Sequence, residues 1–174
     1  MESNYDRPHS KQLETFIPAL QFQFLTPLYN LILAISGLGT TFKQKITTLA
    51  ELPEQPGGLI IDVGCGSGLH AMILAHGYPS MNVIGFDPDP FLIATLAKNN
   101  TLPNLSFCEG FAQLINLPEN SATYIFSSLT YHHLTLNQKE QAASETYRVL
   151  APNGKFIFTD WGTLIHPCFV FIST

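Results

Sequence analysis

Hydrophobic and polar positions change their rhythm near residue 59. Before that point apolar residues recur at roughly helical spacing: Phe22, Leu25, Leu28, Tyr29 and Ile32 follow one another in turns, interrupted by Pro27. The first 15 or so residues read as a frayed polar leader. Phe16 to Thr48 reads as helical pieces punctuated by Pro18, Pro27, Gly37 and Gly39. The run Leu52-Pro53-Glu54-Gln55-Pro56-Gly57-Gly58 is turn chemistry and separates this leader from the rest of the chain.

Beyond it, short apolar runs alternate with helical stretches. Leu59–Val63 is rich in branched residues and suits a strand buried on both faces. His70–His76 reads as a helix, Asn82–Phe86 as a second strand ending at Asp87, and Pro90–Asn99 as a second helix capped by Asp89. Leu105–Cys108 and Thr123–Ser128 are strands three and four. Asn137–Leu150 is a helix, with Asn137 as its cap and Glu140 three residues on. Pro152-Asn153-Gly154 makes a turn, and Lys155–Thr159 is strand five. The alternation predicts an α/β fold, a doubly wound and mostly parallel sheet of Rossmann-like type. After strand five the chain runs only to Thr174. The expectation is a sheet truncated there, without a closing hairpin and with strand five as an exposed edge. The organisation expected is a helical leader or lid over 1–52, a core over 53–161 and a short tail over 162–174.

Composition narrows the chemistry. Hydrophobic residues make up 45% of the 174 and charged residues 12%, which argues against disorder. The net charge is −5 and the few Lys and Arg are scattered, so nothing resembles a nucleic-acid-binding stripe. Cys65, Cys108 and Cys168 show no metal-ligand spacing. No metal site or disulfide framework is expected, and a reducing cytoplasm is the default. The polar N-terminus does not read as a signal peptide. The most apolar stretch, Leu28–Leu38, is too short to span a bilayer, which takes roughly 20 apolar residues. Peripheral membrane contact stays open.

The candidate site begins where strand one opens into a helix through Asp62-Val63-Gly64-Cys65-Gly66-Ser67-Gly68. Glycines allow sharp turns and close approach of a ligand to the backbone. The helix N-terminus offers free N–H groups. Asp87 stands about 20 residues beyond the last glycine, where a carboxylate can accept from both hydroxyls of a ribose. A nicotinamide fingerprint has Gly or Ala where this chain has Leu69, so a ligand without a pyrophosphate fits better.

Leu59 to Gly68 resembles motif I of the class I S-adenosylmethionine-dependent methyltransferases. Val83-Ile84-Gly85-Phe86-Asp87-Pro88-Asp89-Pro90 is similar to the family's next motif. Phe126 to Leu134 resembles the family's fourth-strand segment, and Tyr147 to Asp160 its strand-five motif. The group most similar is that of the ubiquinone/menaquinone biosynthesis C-methyltransferases. The resemblance implies S-adenosylmethionine as cofactor and a small, lipophilic methyl acceptor. It implies that Gly64, Cys65, Gly66 and Gly68 pass under the methionine part. Asp62 would hold the amino group, Asp87 the ribose, and Pro88 with Gly110, Phe111 and Ala112 the adenine. Phe111 stands where many relatives carry Asp, so packing replaces a hydrogen bond there. Ser127 and Ser128 would lie near the sulfonium, and Tyr29 would fold over the cofactor. His132 and His133 are the candidates for a general base. The alternatives are a catalytically incomplete cofactor-binding remnant and a nicotinamide-dependent oxidoreductase.

Overall fold

A computed structural model describes residues 39–52, 57–160 and, as backbone, 169–173. Tyr29, the rest of the leader before Gly39, and Trp161 lie outside the described residues. The elements in order are α1 (Thr40–Leu49), β1 (Leu59–Val63), α2 (Leu69–Gly77), β2 (Asn82–Asp87), α3 (Pro90–Asn99), β3 (Leu105–Glu109), β4 (Ala122–Ser128), a 3-10 turn (Tyr131–His133), α4 (Leu136–Val149), β5 (Leu150–Asp160) and β6 (Phe169–Ser173). They form one six-stranded sheet in the order β3-β2-β1-β4-β5-β6. The first five strands are parallel, and β6 runs antiparallel to β5.

The period-two rule distributes the central strands between two cores. Ile60, Tyr124 and Phe126 join Ile46 of α1, Ala71 and Leu74 of α2, and Ile93 of α3 on one face. Ile61, Val63 and Ile125 join Ala142 and Val149 of α4 on the other. Helices on both faces explain why β1 and β4 read as continuous apolar runs.

Three expectations are corrected. The tail is not strandless: Phe169 pairs with Asp160 and Ser173 with Phe156, so β5 is flanked on both sides and is not an edge. The cap of α4 is Thr135, not Asn137. Its hydroxyl accepts from the Gln138 N–H and the Gln138 side chain accepts from the Thr135 N–H. The box residue is therefore Gln138 rather than Glu140. Strand five starts early, at Leu150, and the Pro152-Asn153-Gly154 turn is a bulge within it. Ala122 pairs with Leu150 and Tyr124 with Lys155, and Asn153 takes the left-handed φ of 64°.

Candidate active site

The loop after β1 holds three glycines with left-handed backbones, Gly64, Gly66 and Gly68, and the first two have different surroundings. Gly64 has φ 72°, and a Cβ there would lie 2.2 Å from Thr130 Oγ1. Gly66 has φ 51°, and no neighbour among the described residues comes within 4 Å of where its Cβ would be. Gly64 is thus closed by protein, while Gly66 borders open space that a ligand can enter. The carbonyl of Phe86 accepts both the Gly64 and the Cys65 N–H, at 2.8 and 2.9 Å. These bonds tie the loop to the end of β2.

Asp62 lies on β1 just before the loop and is 1% exposed. Its Oδ2 has no hydrogen-bond partner among the described residues. Burial alone would raise this carboxyl. The polar contact with His70, the charge of Lys43 and the Ala71 N–H outweigh burial and hold it below the usual carboxylate range. The His70 ring is fully buried, with Nδ1 3.6 Å from Asp62 Oδ1 and Nε2 3.2 Å from Thr47 Oγ1 of α1. A polar chain therefore runs from α1 through α2 to the carboxylate.

Asp87 ends β2, half-buried. Its Oδ2 accepts the Gly66 N–H at 3.0 Å and its Oδ1 the Asp89 N–H at 3.1 Å. Burial pushes its carboxyl above the usual range, although both N–H groups pull it down. A carboxylate has about four acceptor sites, so each oxygen keeps spare capacity. Pro88 comes next at the rim, half-buried. Gly110 donates its N–H to Asp87 O at 3.1 Å, which carries Phe111 past the same strand end. Phe111 is half-buried, whereas Ala112 packs inward in the cluster that holds Phe86 and Ile115.

The remaining sequence candidates divide. Cys65 is buried, and burial, with the charges of Asp62 and Asp87 after it, pushes its thiol far above the ordinary range, so it is inert. Ser127 donates to Val63 O at 3.2 Å and serves the join between β1 and β4. Ser128 accepts from Lys43 Nζ at 2.6 Å. His132 sits in the 3-10 turn with Nδ1 2.6 Å from Asp160 Oδ1, and its own N–H donates to Asp160 Oδ2 at 2.9 Å. His133 lies beside it, its ring tilted by 44° with centroids 3.9 Å apart, and burial with the neighbouring His132 lowers its pKa.

Three residues that matter here escape sequence reasoning: Lys43, Thr130 and Asp160. Lys43 comes from a helix remote in sequence and carries no motif. Thr130 is fixed only by the glycine it covers. Asp160 does carry a signal, an acid at the carboxyl end of a parallel strand, the same position that marks Asp87. Asp62, Gly66, Asp87, Ser128, Thr130, His132 and Asp160 all lie at or just beyond the carboxyl ends of β1, β2, β4 and β5.

A family model described as a methyltransferase domain matches residues 60–154. The chain is 27% identical over 135 residues to an uncharacterized methyltransferase of Synechocystis sp., covering 76% of this chain and 62% of the relative. It is 27% identical over 147 residues to the demethylmenaquinone methyltransferase of Chlamydia caviae, covering 82% of this chain and 61% of the relative. The chain thus spans about three fifths of the length of these relatives. Among solved structures, an S-adenosylmethionine-dependent methyltransferase from Aquifex aeolicus shares the fold with a TM-score of 0.58. That pair is 22% identical and covers 72% of this chain and 69% of the other.

Proposed function

The chain belongs to the methyltransferase-domain family, and from that membership we propose that it binds S-adenosylmethionine and transfers its methyl group to a small, lipophilic acceptor. The observation that carries this reading is the buried Oδ2 of Asp62, without a hydrogen-bond partner among the described residues, on the strand that leads into the open flank of Gly66. A buried acceptor without a partner is costly. An ammonium group from a ligand is the natural partner for it.

The residues present fit the cofactor. Asp62 would take the amino group. Lys43 is a cation close enough to lower both Asp62 and Cys65, and its charge suits the methionine carboxylate. The open flank of Gly66 lets the methionine part pass without a side chain in the way, while Gly64 and Gly68 turn the loop against Thr130 and against Leu96 and Phe107. Asp87 would accept from the ribose hydroxyls with its spare acceptor sites. Pro88, Gly110 and Phe111 would flank the adenine, with Ala112 holding their loop from the core. When bound, the cofactor supplies an electrophilic methyl group, and the chain's task is alignment of the nucleophile and exclusion of water.

A lipophilic acceptor is supported by the low charge of the chain and by the named activity of the Chlamydia caviae relative. We place the protein in the cytoplasm, in keeping with the free thiols of Cys65 and Cys108. No helix among the described residues is long and apolar enough to cross a membrane.

Calorimetry with S-adenosylmethionine, S-adenosylhomocysteine and NAD tests the reading. Binding of the first two without NAD is expected. NAD binding alone would overturn it in favour of an oxidoreductase.

A further inference from the structure

The buried polar chain from α1 to β1 is short of one hydrogen. Thr47 of α1 donates its hydroxyl proton to the Lys43 carbonyl at 3.0 Å. That hydroxyl therefore meets His70 Nε2, 3.2 Å away, as an acceptor, and Nε2 carries a hydrogen. A neutral imidazole has a single N–H, so its lone pair would then sit on Nδ1. Nδ1 faces Asp62 Oδ1 at 3.6 Å and has no hydrogen-bond partner among the described residues. Asp62, held below the usual carboxylate range, is ionised and offers only lone pairs. Two acceptors would thus stand against each other in the interior, which is costly for both.

A second proton on the ring removes the conflict. Nδ1–H then points at the carboxylate, and the contact becomes a buried pair of imidazolium and carboxylate. The two side chains are 0% and 2% exposed, so salt screens their attraction little. The neighbours leave this pairing in place. Phe126 of β4 meets the ring edge-on, centroids 5.0 Å apart, and brings no charge. Lys43 of α1 acts on Asp62, and Asp62 in turn on Asp87 of β2, while the raised Cys65 thiol stays neutral.

We infer that His70 carries two protons in the free protein and gives up the one on Nδ1 when the cofactor's ammonium reaches Asp62, so that cofactor binding releases a proton. His70 is a positioning residue: it acts through Asp62, and Asp62 meets the ligand. Oδ1 faces the ring, and Oδ2 is the oxygen left for the ammonium. Two cations on one buried carboxylate repel each other. The ring proton is the one to leave, because an α-ammonium ordinarily holds its proton more firmly than an imidazolium. That proton goes to solvent. The neutral ring keeps Nε2–H on Thr47, and its Nδ1 lone pair now faces a carboxylate whose charge the ammonium offsets. Until then the imidazolium holds the carboxylate ionised and in place.

The inference rests on the cofactor-binding reading, and its test separates the two. Long-range proton–nitrogen spectra of the full chain at neutral pH should show both His70 nitrogens protonated. Only Nε2 should stay so once S-adenosylhomocysteine saturates the site. Calorimetry in two buffers of different ionisation enthalpy should count about one proton released per S-adenosylhomocysteine bound. The analogue lacking the amino group keeps the ribose, so any proton that Asp87 yields appears with both ligands, and the difference belongs to His70. Thr47→Val keeps the side-chain shape and removes the acceptor at Nε2. The ring can then place a single proton on Nδ1, and the release should vanish while binding persists. A singly protonated ring in the free wild-type chain, equal release with and without the amino group, or undiminished release in Thr47→Val would each overturn the proposal. A chain that binds neither adenosyl ligand would instead overturn the cofactor-binding reading itself.

Discussion

At the scale of single residues, the two site carboxylates are tuned in opposite directions, and that makes them separable. Asp62 is held below the usual range and stays ionised in mildly acid solution. Asp87 is pushed above it, by burial first of all. Ribose hydroxyls donate best to the ionised form, so in the role proposed for Asp87 its protonation competes with the ligand. Cofactor affinity should fall as pH drops from neutral through the raised Asp87 pKa, and calorimetry on Asp87→Asn should show that slope flattened. Asp87→Ala should weaken binding by the loss of charged hydrogen bonds, ~1.5–3 kcal/mol each. The sign for Asp62 is the reverse in stability: its depressed pKa contributes stability above the unfolded value, lost as pH falls through the folded one. The two glycines make a second contrast. Gly64→Ala should destabilise the fold by more than the ~1–3 kcal/mol of left-handed strain, because Thr130 blocks the new methyl. Gly66→Ala bears only the strain in folding and should lose cofactor affinity disproportionately; thermal melts and calorimetry read the two apart. Asp62, Gly66 and Asp87 are legible in sequence because each sits in a short local pattern. Lys43 is not, because its partner Ser128 is 85 positions away, and Asp160 shows only its place at a strand end, its partner His132 lying 28 positions back.

At the scale of elements, local chemistry is readable where it is self-contained. Asp89 caps α3 as expected, accepting from the Phe91 and Leu92 N–H groups, with Pro90 in the first turn. The start of α4 is harder to place because Asn137 and Glu140 resemble a box as closely as Thr135 and Gln138 do; only the extended backbone at Thr135 decides between them. Thr135→Ala should cost ~0.5–2 kcal/mol in melting experiments, and Asn137→Ala close to nothing. One clamp is invisible in sequence. Arg148 of α4 donates to the Ile115 and Leu117 carbonyls, and Glu145 accepts the Ile115 N–H at 2.9 Å while pairing with Arg148 at 2.7 Å. These bonds hold the loop that leaves Phe111. Arg148→Ala should cost ~1–2 kcal/mol, since the carbonyls lose a charged donor at a partly exposed site. Hydrogen exchange should rise first in residues 112–117.

At the scale of the whole molecule, the alternation of elements predicts five parallel strands but not the sixth. Phe169-Val170-Phe171-Ile172-Ser173 is a run of apolar and β-branched residues with the composition of a strand. It comes so soon after Asp160 that the pattern alone does not announce an antiparallel return. Its five residues pair with Phe156 through Asp160, the stretch that ends in the carboxylate bonded to His132. Removing residues 169–174 should leave β5 as an open edge. Sedimentation should then show self-association.

The strand order has a kinetic consequence. The candidate site residues lie at or just beyond the carboxyl ends of β1, β2, β4 and β5, which meet only through parallel pairings between segments far apart in the chain. Contacts of such high sequence separation form late in folding, after costly loop closures. No early intermediate can assemble the pocket piecemeal. During refolding, affinity for S-adenosylmethionine should emerge after helical content, so the ligand can act as a sensor of completed topology.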